Sequence, residues 1–98
     1  MPEIYFAPTK ASRPISILEL HQQFLNAGIA CSLSQDTSET SWIIFDKFQS
    51  TLYASIANDV VTFLTFNYDL SDTPQMLEIT NRVMSQIGFS DDEQADYA

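Results

Sequence analysis

The sequence predicts an α+β domain, a two-layer sandwich in which a mainly antiparallel sheet of about five strands carries two helices on one face. Three observations predict it. Two segments place apolar residues at helical spacing between recognisable start and stop signals, the stretches between them alternate with a period of two, and 98 residues supply one core. The expected order is strand, helix, four strands, helix.

Each element has a local reason. Glu3 to Ala7, with Ile4 and Phe6 on one side, reads as a first strand ended by Pro8. Residues Thr9 to Pro14 have turn composition, after which Ser16 and Glu19 form an S-x-x-E capping box that starts a helix. Ile15 and Leu20 make its hydrophobic staple, and Gly28 after Ala27 takes the left-handed conformation that ends it. The helix stripe is Ile17, Leu20, Phe24 and Ala27, widened by Leu18 and Leu25. The period then changes: Ile29, Cys31 and Leu33 alternate with Ala30, Ser32 and Ser34, a half-buried strand that turns Cys31 inward. A polar loop from Gln35 to Thr40 leads to a strand from Ser41 to Phe48, rich in β-branched and aromatic residues. Two more strands, Thr51 to Ala57 and Val60 to Tyr68, flank Asn58-Asp59, a pair that tolerates the positive φ of a tight hairpin turn. Thr73-Pro74 starts the second helix, with Met76, Leu77, Thr80, Val83, Met84 and Ile87 as its stripe and Gly88 as its stop.

A two-residue turn at Asn58-Asp59 fixes which side chains share a face. Regular pairing sets Ile56 beside Val61, Ala54 beside Phe63 and Leu52 beside Thr65 toward the helices. The opposite side then carries Tyr53 with Leu64 and Thr51 with Phe66. If Gln49-Ser50 is also a two-residue turn, Trp42, Ile44 and Asp46 join them. Trp42, Ile44, Tyr53, Leu64 and Phe66 are therefore expected to form an uncovered apolar patch, and patches of this kind bind something. One helix on each face, or a sheet that curls on itself, would instead make Leu64 and Phe66 ordinary core.

Charge and composition exclude several functions. Thirteen acids against Lys10, Arg13, Lys47 and Arg82 give a net charge of −9, which opposes any grip on nucleic acid phosphates. Asp91, Asp92, Glu93 and Asp96 supply four of those charges, so residues 1–90 are expected to form the domain and 91–98 a disordered acidic tail. One cysteine and one histidine cannot close a zinc site in one chain, and both glycines are used as helix stops, leaving none for a phosphate-cradling loop. No cofactor or metal is expected. No apolar run reaches the roughly 18 to 20 residues of a membrane span, and no basic stretch leads into an apolar one near residue 1, the pattern of a soluble cytoplasmic protein without membrane contact.

Candidate chemistry is sparse. His21 lies beside the apolar stripe of the first helix and Cys31 faces the same layer, but a buried thiol is a poor nucleophile, and a packed histidine is the simpler reading. Asp69 and Asp72 flank the start of the second helix, where carboxylates cap amides and favour the dipole. No enzymatic arrangement is expected. The order of helix, antiparallel strands and helix, with the acidity, resembles small secretion-chaperone-type domains, and that resemblance of layout implies a dimer that holds a partner chain. The functional expectation is a non-catalytic protein-interaction module, homodimeric through the outer sheet face and adaptor-like or chaperone-like. The alternative is an acidic inhibitor or immunity-type protein that blocks a basic site on a partner enzyme or nuclease.

Overall fold

The computed structural model describes residues 3–72 and 74–91. Its elements are β1 (Glu3–Pro8), α1 (Ile17–Asn26), β2 (Cys31–Thr37), β3 (Thr40–Phe45), β4 (Thr51–Ala57), β5 (Val60–Asn67), α2 (Pro74–Ile87) and β6 (Phe89–Asp91). All pairings are antiparallel, in a single sheet ordered β2-β3-β4-β5-β1-β6. Buried residues of both helices join the inward side chains of the sheet in one cluster, so the expected α+β sandwich is the observed one. Among the described residues no helix is long and apolar enough to cross a membrane.

The ends of α1 follow the local rules. Ser16 Oγ accepts the Glu19 N–H at 3.1 Å, and Ile15 and Leu20 are both buried. Gly28 (φ 89°) closes the helix: its N–H donates to Leu25, the Ile29 N–H reaches back to Phe24, and Ile29 and Phe24 are both buried. Gly88 (φ 82°) is constrained twice, because a Cβ there would also lie 2.6 Å from Ser12 Cα. That close approach lets the Gly88 carbonyl accept the Thr9 N–H at 3.0 Å and the Thr9 hydroxyl at 2.6 Å. Asn58 and Asp59 both have positive φ (52° and 63°), as the tight hairpin turn requires.

Several boundaries differ from expectation. The stretch expected as a loop continues β2 to Thr37, with Ser38-Glu39 as the turn, and Ile29 belongs to the helix stop rather than the strand. Residues 46–50 connect β3 to β4, so Gln49-Ser50 is not a two-residue turn. The register of that hairpin moves by an even number of residues, so the faces of Trp42 and Ile44 are unchanged. Leu18 (67% exposed) and Leu25 do not widen the α1 core stripe, while Ile79 joins that of α2. Asp91, expected at the start of the tail, pairs with Phe6 of β1 at the end of β6. Residues 92–98 and the expected cap at Thr73 lie outside the described residues.

The consequential difference is a bulge in β5. Ile56 pairs with Val61 as the turn dictates, but Ser55 pairs with Phe63, leaving Thr62 as the extra residue. Every later position in β5 changes face relative to strict alternation. Leu64 and Phe66 therefore oppose Ala54 and Leu52 inside the core, all four at 0% exposure, and they are not part of an outer patch. Burial explains the preference, since Leu and Phe gain roughly 1.5 to 3 kcal/mol each from leaving water and Thr65 does not. At the bulge the Val61 N–H donates to the Ile15 carbonyl at 2.9 Å, tying β5 to the residue that precedes the α1 cap.

Candidate interaction face

The outer face of the sheet is built in rows, because side chains directly opposite in an antiparallel sheet are neighbours. One row crosses five strands as Ser34, Trp42, Tyr53, Thr65 and Tyr5. The next reads Ser32, Ile44, Thr51, Asn67 and Glu3. The bulge adds Phe63 beside Ser55. Within these rows Trp42 packs edge-on against Tyr53 with ring centroids 4.5 Å apart, and Tyr5 stacks on Phe63 at 5.8 Å.

Trp42, Ile44 and Tyr53 thus occupy the face on which the alternation placed them, and Leu64 and Phe66 are replaced there by Phe63 and Tyr5. Sequence reasoning missed Phe63 because strict alternation turned it inward, and Tyr5 because nothing in the sequence set β1 beside β5. The paired apolar positions Val60-Val61 and Phe63-Leu64 around Thr62 are the signal of an interrupted period. Among the described residues no helix covers this side; Ile44 is 44% and Tyr5 41% exposed, while Trp42, Tyr53 and Phe63 are half-buried by their neighbours.

Electrostatically the face contrasts with the chain that carries it. Glu3, at the end of β1, is the one charged residue among the described, regularly paired outer positions, and it accepts the Tyr5 hydroxyl at 3.2 Å. Asp46, just beyond β3, accepts a hydrogen bond from Ser32 Oγ at 3.4 Å on the rim. Serine and threonine hydroxyls and the Asn67 amide fill the remainder of these rows.

The other candidate groups are placed differently. His21 Nε2 lies 3.0 Å from the Cys31 carbonyl oxygen, so Nε2 carries the proton and the imidazole engages the backbone of Cys31 rather than its thiol. Cys31 faces inward as expected; burial, and then the Asp46 charge, push its thiol above the usual range, the opposite of activation. Among the described residues no cluster of three or more histidine, cysteine or acidic side chains is arranged to hold a metal ion.

Asp72 does not serve the amides of α2. Its carboxylate accepts the Gln49 N–H at 2.9 Å, the Ser50 N–H at 2.8 Å and the Ser50 hydroxyl at 2.5 Å, and Ser50 Oγ in turn accepts the Asp69 N–H. Desolvation by itself would raise this carboxyl, but the hydrogen bonds from Gln49 and Ser50 outweigh it and hold the group below the usual carboxylate range. The fully buried Ser50 therefore joins the β3–β4 connection to the β5–α2 connection. Asp69 closes a local turn on the Ser71 N–H and hydroxyl.

Comparison of this chain with protein-family models, with curated proteins and with solved structures finds no match, so its functional reading rests on the site geometry alone.

Proposed function

We propose that the protein is a non-catalytic interaction module that self-associates through the outer face of its sheet. The observation that carries this reading is the row of Trp42, Tyr53 and Thr65, flanked by Ile44 and Phe63, which no described helix covers. A second copy is the favoured occupant on electrostatic grounds. In a chain of net charge −9, a face whose described paired positions carry one charge, at Glu3 on its margin, lets two like molecules meet with little carboxylate repulsion. It is also self-complementary in kind, since rings and hydroxyls can interleave across a two-fold axis.

The face is modest in size. Strands about 4.8 Å apart and about 3.3 Å per residue give roughly 500 Å² of plan area per copy. Doubled, that stands near the lower end of specific interfaces, which implies a micromolar rather than a nanomolar dimer. Thr65→Asp tests it. The substitution places a charge between Tyr53 and Tyr5 on both copies, and sedimentation velocity should show a concentration-dependent dimer for the parent chain and a monomer for the variant. A parent that stays monomeric into the high micromolar range would sink the reading. Ile44→Asp, at the exposed edge of the row, should weaken association less.

A further inference from the structure

The helix side of the sheet holds a second unfinished surface. Among the described residues β2 is an edge strand, so one row of its backbone groups has no neighbouring strand there. The register identifies that row. Asp46 N–H donates to the Ala30 carbonyl at 3.0 Å, which makes these two a hydrogen-bonded pair; Ser32 with Ile44 and Ser34 with Trp42 follow at the antiparallel period of two. Cys31, Leu33 and Gln35 therefore turn their N–H and C=O groups to the open side. The contact of His21 Nε2 with the Cys31 carbonyl agrees, since only an outward carbonyl is available to a helix side chain. From Leu33 onward that edge has no cover among the described residues.

The side chains of Leu33 and Gln35 line a cavity of about 340 Å³ between the first turn of α1 and the inner face of the sheet. Ile17 and Ile56 add apolar wall, and Asp59 stands at the rim. Ser41, 2% exposed, also lines it. No lysine or arginine lines the cavity, whereas Asp36 interrupts β2 at its register shift and Glu39 lies in the adjoining turn.

We propose that the β2 edge and this cavity together bind an extended segment of a partner protein. The segment adds as a strand beside Leu33 and Gln35, seats one aliphatic side chain between Ile17 and Ile56, and faces Asp36 and Asp59 with a basic residue. Backbone pairing supplies affinity and the cavity supplies selectivity, as in other strand-addition sites. A second copy of this chain fits less well: its β2, Cys31–Thr37, has no basic side chain to offer. This site is separate from the outer face, so either can fail without the other.

The test uses fluorescein-labelled nine-residue peptides, each with a central Leu, Ile or Val, β-branched flanks and one Lys or Arg, read by anisotropy and by amide chemical shifts of the whole chain. Micromolar binding with shifts centred on Leu33, Gln35, Ser41 and Ile56 is expected. N-methylation of alternate peptide amides should weaken the best peptide about tenfold or more, because the lost donors are those that pair with the edge. Gln35→Pro removes an outward N–H while sparing the β2–β3 ladder, and should weaken binding comparably with an unchanged oligomer mass. The methylated peptides need no protein variant, so a misfolded Gln35→Pro still leaves a decisive arm. Absence of binding at millimolar peptide, shifts centred on Trp42 and Tyr53, or indifference to N-methylation would each overturn the proposal. So would protection of the Leu33 and Gln35 amides by raised protein concentration alone, which would give the edge to a second copy.

Discussion

The two faces of the sheet obey the same alternation and reach opposite outcomes. On the inner face Leu52, Ala54, Leu64 and Phe66 lose all contact with solvent, and both helices lie over them. On the outer face Trp42 packs against Tyr53 and Phe63 against Tyr5, amid serine and threonine hydroxyls, and all four keep contact with solvent. The inner set is held by burial, which is worth most when complete; the outer set retains exposed apolar surface. One inserted residue, Thr62, assigns Leu64 and Phe66 to the first group and Phe63 to the second.

Truncating a ring on each face is the sharpest way to break this contrast. Phe66→Ala empties a fully buried site and should cost about 3 to 5 kcal/mol, whereas Phe63→Ala should cost the folded monomer about 1 kcal/mol or less. Urea denaturation of dilute protein reads both. Equal losses would mean that the outer face is covered in solution.

A smaller effect is expected where the two connections at one end of the sheet are tied together. Asp72→Asn should destabilise by roughly 1 to 2 kcal/mol, since bonds to a charged acceptor are strong but these are partly open to water. Because the folded carboxyl titrates below its unfolded value near 3.9, its contribution is present above that value and is lost as pH falls through the lower folded value. Acid titration of stability should therefore be shallower for Asp72→Asn than for the parent in that window. Parallel curves would remove Asp72 from the account.

The smallest effect should come from deleting Thr62. Without it, Ile56–Val61, Ser55–Phe63 and Ala54–Leu64 all follow regular alternation, and the Val61 N–H still points to Ile15. A loss below about 1 kcal/mol is expected, the bulge contributing twist rather than burial. Loss of folding would show that the bulge itself is required.

Much of this architecture was legible because its signals are local. Ser16 with Glu19, Gly28, Asn58-Asp59 and Pro74 each specify backbone geometry within a few residues, and each element they delimit is present. Trp42, Ile44 and Tyr53 were placed correctly because alternation within β3 and β4 is unbroken. The fate of Leu64 and Phe66 was not legible from the turn alone, since a bulge trades one irregular residue for the burial of two large side chains several positions away. The bonds from Gln49 and Ser50 to Asp72 were hidden for a related reason: they join residues 22 and 23 positions apart, and nothing near Asp72 names its partners.

Trp42 is the sole tryptophan and stands in the proposed contact, so its emission reports the central claim directly. Across a dilution series from the high micromolar to the nanomolar range, the emission maximum should move to longer wavelength and acrylamide quenching should increase, in step with the loss of dimer mass. An emission maximum and a quenching constant that stay the same throughout, in a chain whose mass does change, would place the contact between copies somewhere other than this face.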